Sequence, residues 1–208
     1  MNQFQDLSQY ASSKGIRGKS KYYIQMWWIV YALLFKPSPR FMFGWRNFLL
    51  RLFGAKVGKN VLVRSSAFIS YPWNVTIGNN CWIGEHNYIY GSGKIRIGNH
   101  VALGPYVKIC SGQHDIHRLS FDTIAKDVTI EDEVWLAADV FVAAGVKIGY
   151  GTVVGARSSV FKSLEGGKIC VGTPAKAIKN RMGGVIWHSS TCICIQPPLI
   201  IGRRVYAA

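Results

Sequence analysis

A chain of 208 residues suits one main domain with room for a modest appendage, and 49% hydrophobic content excludes a disordered chain. The net charge of +15, from 25 basic against 10 acidic residues, favours phosphates or anionic lipid head groups as partners. No zinc-finger spacing, RNP motif or other nucleic-acid signature accompanies that charge, so no nucleic acid is expected.

The first ten residues, MNQFQDLSQY, have neither a basic start nor an apolar core, and no secretory signal is expected. Tyr22 to Phe35, YYIQMWWIVYALLF, predicts a helix that Lys36-Pro37-Ser38-Pro39 ends. Such a helix reaches roughly 21 Å, short of the ~30 Å hydrocarbon core, so it does not span a bilayer by itself. A second helix is expected over Phe41 to Phe53, with Trp45, Phe48, Leu49 and Leu52 on one stripe and Arg40, Arg46 and Arg51 at its other positions. Trp27, Trp28, Tyr31, Trp45 and Phe48, flanked by Lys19, Lys21, Lys36, Arg40 and Arg46, have the character of an interfacial membrane helix. Peripheral membrane contact through residues 22–53 is one expectation. Packing of these helices on the rest of the chain, or on a neighbouring subunit, is the other.

From residue 55 onward a six-residue period dominates. Aliphatic residues stand at Val57, Val63 and Ile69, then Ile77, Ile83 and Ile89, then Ile97, Leu103 and Ile109. They resume at Ile130, Leu136, Val142, Ile148, Val154 and Val160. Neither a 3.6-residue helix nor plain strand alternation keeps that spacing. A chain that turns a corner every six residues does, with three short strands to a coil and one aliphatic per side pointing into a triangular prism. Coils then stack about 4.8 Å apart, with Ile77 over Ile97, Ile83 over Leu103 and Ile89 over Ile109. Gly58, Gly78, Gly84, Gly98, Gly104, Gly149 and Gly155 follow the aliphatics, where a residue without Cβ is expected to let the chain bend. The fold class is therefore a parallel β-helix over 55–172, preceded by a helical segment at 1–54 and followed by a tail at 173–208.

The rhythm breaks between Ile109 and Ile130, a step of 21 where six or eight would maintain it. About a dozen residues within 110–127, including "CSGQHDIHRLSFD", leave the prism as a loop, and loops on rigid scaffolds carry function. His114 stands where the loop leaves the wall, anchored yet open to a ligand. Neutral imidazole suits proton removal from a hydroxyl near neutral pH. His117 reads as a surface residue. Asp115 either orients the loop or contacts a substrate. Asn87 occupies a site where equivalent positions are mostly small, so its amide is a candidate for a substrate pocket, as is Glu85 in "WIGEHN". The five cysteines, an odd number, fit a reducing cytosol and not a disulfide framework. Cys81 and Cys110 read as packing, and the Cys192-x-Cys194 pair lacks a second pair at zinc-site spacing.

"LLRLFGAKVGKNV", "YPWNVTIGNNCWIGE", "IGNHVALGPYVKICSGQHD", "VWLAADVFVAAGVKIGYGTVVGARSSVFK" and "VGTPAKAI" resemble the hexapeptide-repeat acetyltransferases of colanic acid and related exopolysaccharide clusters. They are also similar to the galactoside and maltose O-acetyltransferases. The resemblance spans roughly residues 27 to 180. It implies a left-handed hand for the β-helix, a homotrimer with sites between subunits, and O-acetyl transfer from acetyl-CoA to a sugar hydroxyl. His114 is then the general base, with no acyl-enzyme. Trp135, Ala138, Ala156, Lys162 and Lys176 match cofactor-binding positions. A sugar acceptor being built on a lipid carrier, at the cytoplasmic membrane face, follows from the exopolysaccharide likeness. No metal is expected.

Two rivals remain. A γ-type carbonic anhydrase on the same fold needs three histidines converging on one zinc. His86, His100, His114 and His117 are available, but at a spacing unlike that class. The other rival is a non-catalytic assembly scaffold whose working part is the basic, aromatic N-terminus.

Overall fold

The structure, a computed structural model, describes residues 4–10 and 16–181. The Cys192–Cys194 pair and the rest of the tail beyond Arg181 lie outside the described residues.

The prism is present, built coil by coil. The first coil comprises β1 (Lys56–Val57), β2 (Leu62–Val63) and β3 (Phe68–Ile69). The second holds β4 (Val75–Ile77), β5 (Trp82–Ile83) and β6 (Tyr88–Tyr90), and the third β7 (Ile95–Ile97), β8 (Ala102–Leu103) and β9 (Lys108–Cys110). A hairpin of β10 (Gly112–His114) and β11 (Thr123–Ala125) then leaves the wall. The fourth coil is β12 (Val128–Ile130), β13 (Trp135–Leu136) and β14 (Phe141–Val142). The fifth is β15 (Lys147–Ile148), β16 (Val153–Val154) and β17 (Ser159–Val160). β18 (Lys168–Val171) adds to the second wall, and β19 (Lys176–Asn180) turns back against it antiparallel.

Three parallel walls result, with strand orders β1-β4-β7-β12-β15, β2-β5-β8-β13-β16-β18 and β3-β6-β9-β14-β17. The expected stacking holds: Ile77 pairs with Ile97, Ile83 with Leu103, and Ile89 with Ile109. Ile97 in turn pairs with Ile130, so the hairpin is inserted without disturbing the stack. Aliphatics from Val63 to Val160 are buried in one continuous core. Each such side chain stabilises the folded state by about 1.5–3 kcal/mol relative to exposure.

The glycines after the aliphatics have a different cause from the one expected. The bend is made two residues later, at left-handed positions such as Asn80 (φ 55°), His100 (φ 55°) and Tyr106 (φ 61°). Glycine is needed because the next coil is too close. A Cβ at Gly78 would stand 2.5 Å from the carbonyl oxygen of Gly98, and one at Gly84 would stand 2.6 Å from that of Gly104.

The N-terminal helices close the open end of the prism. α1 (Lys21–Val30) starts at Ser20, whose Oγ accepts the Tyr23 N–H, and continues as one wide turn over Tyr31–Phe35. There the Lys36 N–H reaches back to the Tyr31 carbonyl, which swings Phe35 inward against Trp27. α2 (Phe43–Leu52) is shorter than expected and turned differently. Arg46, Asn47, Leu49 and Leu50 are buried, while Phe48 and Leu52 face outward, so the predicted apolar stripe is not its inner face.

The cause is electrostatic. Strands of the first coil donate their N–H groups to carbonyls of the second, for example Leu62 to Cys81 and Ser70 to Ile89. Their own carbonyls point out of the end and need donors. Arg46 Nε bonds Val63 O at 2.6 Å, Asn47 Nδ2 bonds Val61 O at 2.8 Å, and Trp27 Nε1 bonds Ile69 O at 2.7 Å. Arg51 donates to Val57 O and Gly58 O. Trp27 and Arg46, both expected to contribute to an interfacial face, are instead core and cap.

Candidate active site

His114 ends β10, and its ring is held from two sides. Its Nδ1 lies 2.9 Å from the Phe121 carbonyl oxygen, and the two rings stack at 4.3 Å and 6°. A carbonyl only accepts, so Nδ1 carries the proton and Nε2 keeps its lone pair free for a substrate hydroxyl. Phe121 adopts a left-handed φ of 50°, uncommon for a bulky residue, and this conformation aims both its ring and its carbonyl at His114.

Beside the imidazole lies a cavity of about 350 Å³, lined by Tyr10, Arg17, Tyr90, Cys110, Gln113 and His114 among others. Its roof is the N-terminal arm. The Asp6 N–H bonds Leu119 O at 2.7 Å, Tyr10 Oη lies 2.9 Å from Thr123 Oγ1, and the Arg17 carbonyl accepts from Trp73 Nε1 at 2.6 Å. Tyr10, Arg17, Phe121 and Tyr90 are site residues the sequence reading missed. Only Tyr90 carried a signal, being an aromatic on the outward side of a wall one coil below the break. Cys110, read as packing, is half-buried and lines the cavity.

The hairpin spends its other polar groups on itself. Asp115 accepts the His117 N–H at 3.0 Å and sits 3.5 Å from Arg118, and Arg118 also meets Asp122. Asp115 thus shapes the loop, while His117 lies exposed beyond the cavity lining.

The remaining predicted residues fall elsewhere. Asn87 is buried, with Oδ1 accepting the Val107 N–H at 2.7 Å from the coil above, so its amide sits in the prism wall and not in the His114 cavity. Glu85 is exposed where the second wall turns into the third, 3.7 Å from Arg40. Ala138 and Ala156 lie on that same edge, one coil apart, and their N–H groups have no hydrogen-bond partner among the described residues. Trp135 and Lys176 belong to the second wall through β13 and β19. Lys162, exposed, follows β17 on the edge where the third wall turns into the first, the edge His114 occupies two coils earlier. Apart from Trp135 and Lys176 on the second wall, the predicted residues therefore form two rows on opposite edges of the third wall.

The histidines needed by a zinc site are dispersed. His86 stacks on Tyr106 at the second-to-third edge, His100 meets Asn80 at the first-to-second edge, and His114 occupies the remaining one.

No family model matches the chain. It is 48% identical over 178 residues to the colanic acid biosynthesis acetyltransferase WcaF of Escherichia coli K12, covering 86% of this chain and 98% of that protein. The chain belongs to this family of hexapeptide-repeat acetyltransferases. More distantly, this acetyltransferase is 27% identical to the galactoside O-acetyltransferase of the same organism, over 85% of this chain and 84% of that one. Among solved structures, a hexapeptide-repeat acetyltransferase from Vibrio cholerae complexed with acetyl coenzyme A superposes with a TM-score of 0.70. It is 24% identical, over 81% of this chain and 88% of that one, a likeness of fold.

Proposed function

We propose that this acetyltransferase moves an acetyl group from acetyl-CoA to a sugar hydroxyl, with His114 as general base. The carrying observation is the His114–Phe121 contact, which in the neutral imidazole puts the proton on Nδ1 and makes Nε2 the accepting nitrogen of a ring that lines the cavity. Bound acetyl-CoA supplies an activated thioester. Nε2 takes the proton from the sugar hydroxyl as its oxygen attacks, and returns it to the departing thiol. Phe121 acts through His114, as a positioning residue. The unpaired N–H groups of Ala138 and Ala156 suit the amide and phosphate oxygens of coenzyme A, and Lys162 and Lys176 suit its phosphates as point charges.

The two rows are separated within one chain, and we propose that they meet across a homotrimer interface. One protomer would present the His114 edge and its neighbour the Ala138–Ala156 edge, which also brings Glu85 to the acceptor. Self-association of this kind covers flat prism walls in a closed ring.

We further infer peripheral attachment to an anionic membrane surface on the cytoplasmic side, where a lipid-linked acceptor would be met. Among the described residues no helix is long and apolar enough to cross a membrane. The support is the outer face of the cap, where Tyr22, Met26, Ile29 and Leu33 of the first helical stretch, Phe41 in the turn before α2, and Phe48 and Leu52 of α2 are exposed. No acidic residue occurs between Asp6 and Glu85, whereas Lys19, Lys21, Lys36 and Arg40 flank these positions.

The test is transfer of labelled acetyl from acetyl-CoA to a panel of sugars. His114→Ala is expected to lower kcat by about 10²–10⁴-fold while the melting temperature holds. A variant that keeps wild-type turnover would remove His114 from the chemistry.

A further inference from the structure

Outward positions on a solenoid wall ordinarily carry polar side chains, as Lys108 does on β9. On β3 and β6 they carry Phe68, Ser70, Tyr88 and Tyr90. Phe68 stacks on Tyr88 at 5.6 Å and 22°, Tyr88 on Tyr90 at 6.1 Å and 5°, and Tyr90 meets Tyr71 at 5.6 Å. Phe68 is partly accounted for by the cap, since Tyr31 packs edge-on against it at 4.9 Å. Tyr88 is 43% exposed among the described residues.

These rings floor a second cavity, of about 430 Å³, lined by Arg17, Trp28, Phe68, Ser70, Tyr71, Tyr88 and Tyr90. It adjoins the His114 cavity, because Arg17 and Tyr90 line both. Ser70 supplies an independent observation. The residue is 1% exposed, its Oγ has no hydrogen-bond partner among the described residues, and it lines this cavity. A buried hydroxyl left unpaired is destabilising unless something in the cavity satisfies it. Burial, with Tyr90 beside it, pushes the Tyr71 phenol up to about 12, so it stays a neutral hydroxyl throughout the physiological range.

A flat aromatic floor with hydroxyls at its margin matches one ligand chemistry. A pyranose ring offers a face of C–H groups to a ring surface and a rim of hydroxyls to polar partners. We propose that the acceptor is an oligosaccharide, and that the groove floored by Tyr88, Tyr90 and Tyr71 is a subsite for the sugar ring adjoining the one acetylated at His114. Ser70 Oγ and the Arg17 guanidinium supply hydrogen bonds to that second ring, Arg17 at the join between the two cavities. This rests on the sugar O-acetyltransferase reading and specifies its acceptor: the reacting sugar occupies the smaller cavity and its neighbour the larger.

The experiment uses the full chain with labelled acetyl-CoA and gluco-, galacto- and manno-configured mono-, di- and tetrasaccharides. Wild type is expected to favour a disaccharide over its monosaccharide at least tenfold in kcat/KM. In Tyr88→Ala that preference should fall to near unity through KM, and Tyr88→Phe, which keeps the ring, should retain it. Equal use of mono- and disaccharides by the wild type would overturn the subsite and leave the proposed reaction standing. So would a Tyr88→Ala variant whose preference is intact, or one whose main effect is a changed oligomeric state by light scattering. Failure to acetylate any of the sugars would overturn the proposed reaction and the subsite with it.

Discussion

Arg46 is buried among neutral oxygens. Besides Val63 O, its guanidinium donates to Pro39 O and Arg40 O at 2.8 Å each and to Ser38 Oγ at 2.9 Å, and it lies over the Phe43 ring. Burial, and then the charge of Arg64, lower its pKa from the ordinary arginine value. The side chain ties the first coil to the turn between the two helices, a task that needs a planar fork and not merely a positive charge. Arg46→Leu would strand several acceptors inside the cap, and we expect a loss of at least ~3 kcal/mol in urea unfolding. Arg46→Lys should recover little of it, since one ammonium cannot reach the same set. A leucine variant that unfolds at the wild-type midpoint would show that the cap does not depend on these bonds. His114 is the contrasting case at this scale. The break in the hexad rhythm marks it, but its partners Phe121, Tyr10 and Arg17 are brought in by chain reversal, which leaves no periodic trace.

Between coils, one edge of the prism carries a ladder of side-chain carbonyls. Asn79 Oδ1 accepts the Lys59 N–H, Asn99 Oδ1 the Asn79 N–H, and Asp132 Oδ1 the Asn99 N–H, at 2.8, 2.8 and 2.7 Å. Asp132 is the rung that spans the 21-residue interruption, and its Oδ2 also accepts from Asn99 Nδ2 at 3.2 Å. The backbone and then the side-chain bond from Asn99 hold its carboxyl below the usual range. A folded-state pKa below the unfolded one gives stability that is present above the unfolded value and lost as pH falls through the folded one. Asp132→Ala is expected to cost about 1 kcal/mol at neutral pH and less in acid, where the protonated carboxyl keeps only a neutral acceptor. Asp132→Asn keeps the acceptor, so it should lose the pH dependence while retaining most of the stability. Thermal melts across pH 2–7 separate these outcomes, and a pH profile identical in all three proteins would exclude the linkage. The ladder also shows what was legible. Wall positions, stacking partners and the exit point of the hairpin follow from the sixfold spacing, because one aliphatic per side is a local requirement. The pairing of β10 with β11 is made within the inserted loop, and the return of β19 and the true reason for the glycines are contacts between neighbouring strands or coils, so spacing along one strand does not encode them.

For the molecule as a whole, the cap decides what the prism end presents to its surroundings. Its inner face is occupied by Trp27, Phe35, Arg46, Asn47 and Leu50, leaving outside a second apolar face with Leu33 at 68% and Phe41 at 80% exposure. Along α1 and the wide turn that continues it, the outward residues Tyr22, Met26, Ile29 and Leu33 recur at helical spacing on one line, opposite Trp27. Trp45 bonds Leu34 O at 3.0 Å and stacks on Phe48, joining that line to α2. A face of this kind, flanked by Lys19, Lys21, Lys36 and Arg40 with Glu85 as the acid paired to Arg40, has the amphipathic composition of an interfacial helix. In a threefold assembly with parallel prisms, three such faces would point the same way, and their affinities would multiply through effective concentration. The full chain should therefore sediment with vesicles containing phosphatidylglycerol, bind less with rising salt, and bind weakly to purely zwitterionic vesicles. Leu33→Glu combined with Phe48→Glu should reduce sedimentation at least tenfold without lowering the melting temperature, because neither side chain is buried. Their effect on acetylation of a soluble sugar should be small, since this outer face lies at the end of the prism and the His114 cavity on its side. Equal loss of vesicle binding and soluble activity would mean that the outer face serves folding or assembly, and that the membrane reading of the cap is wrong.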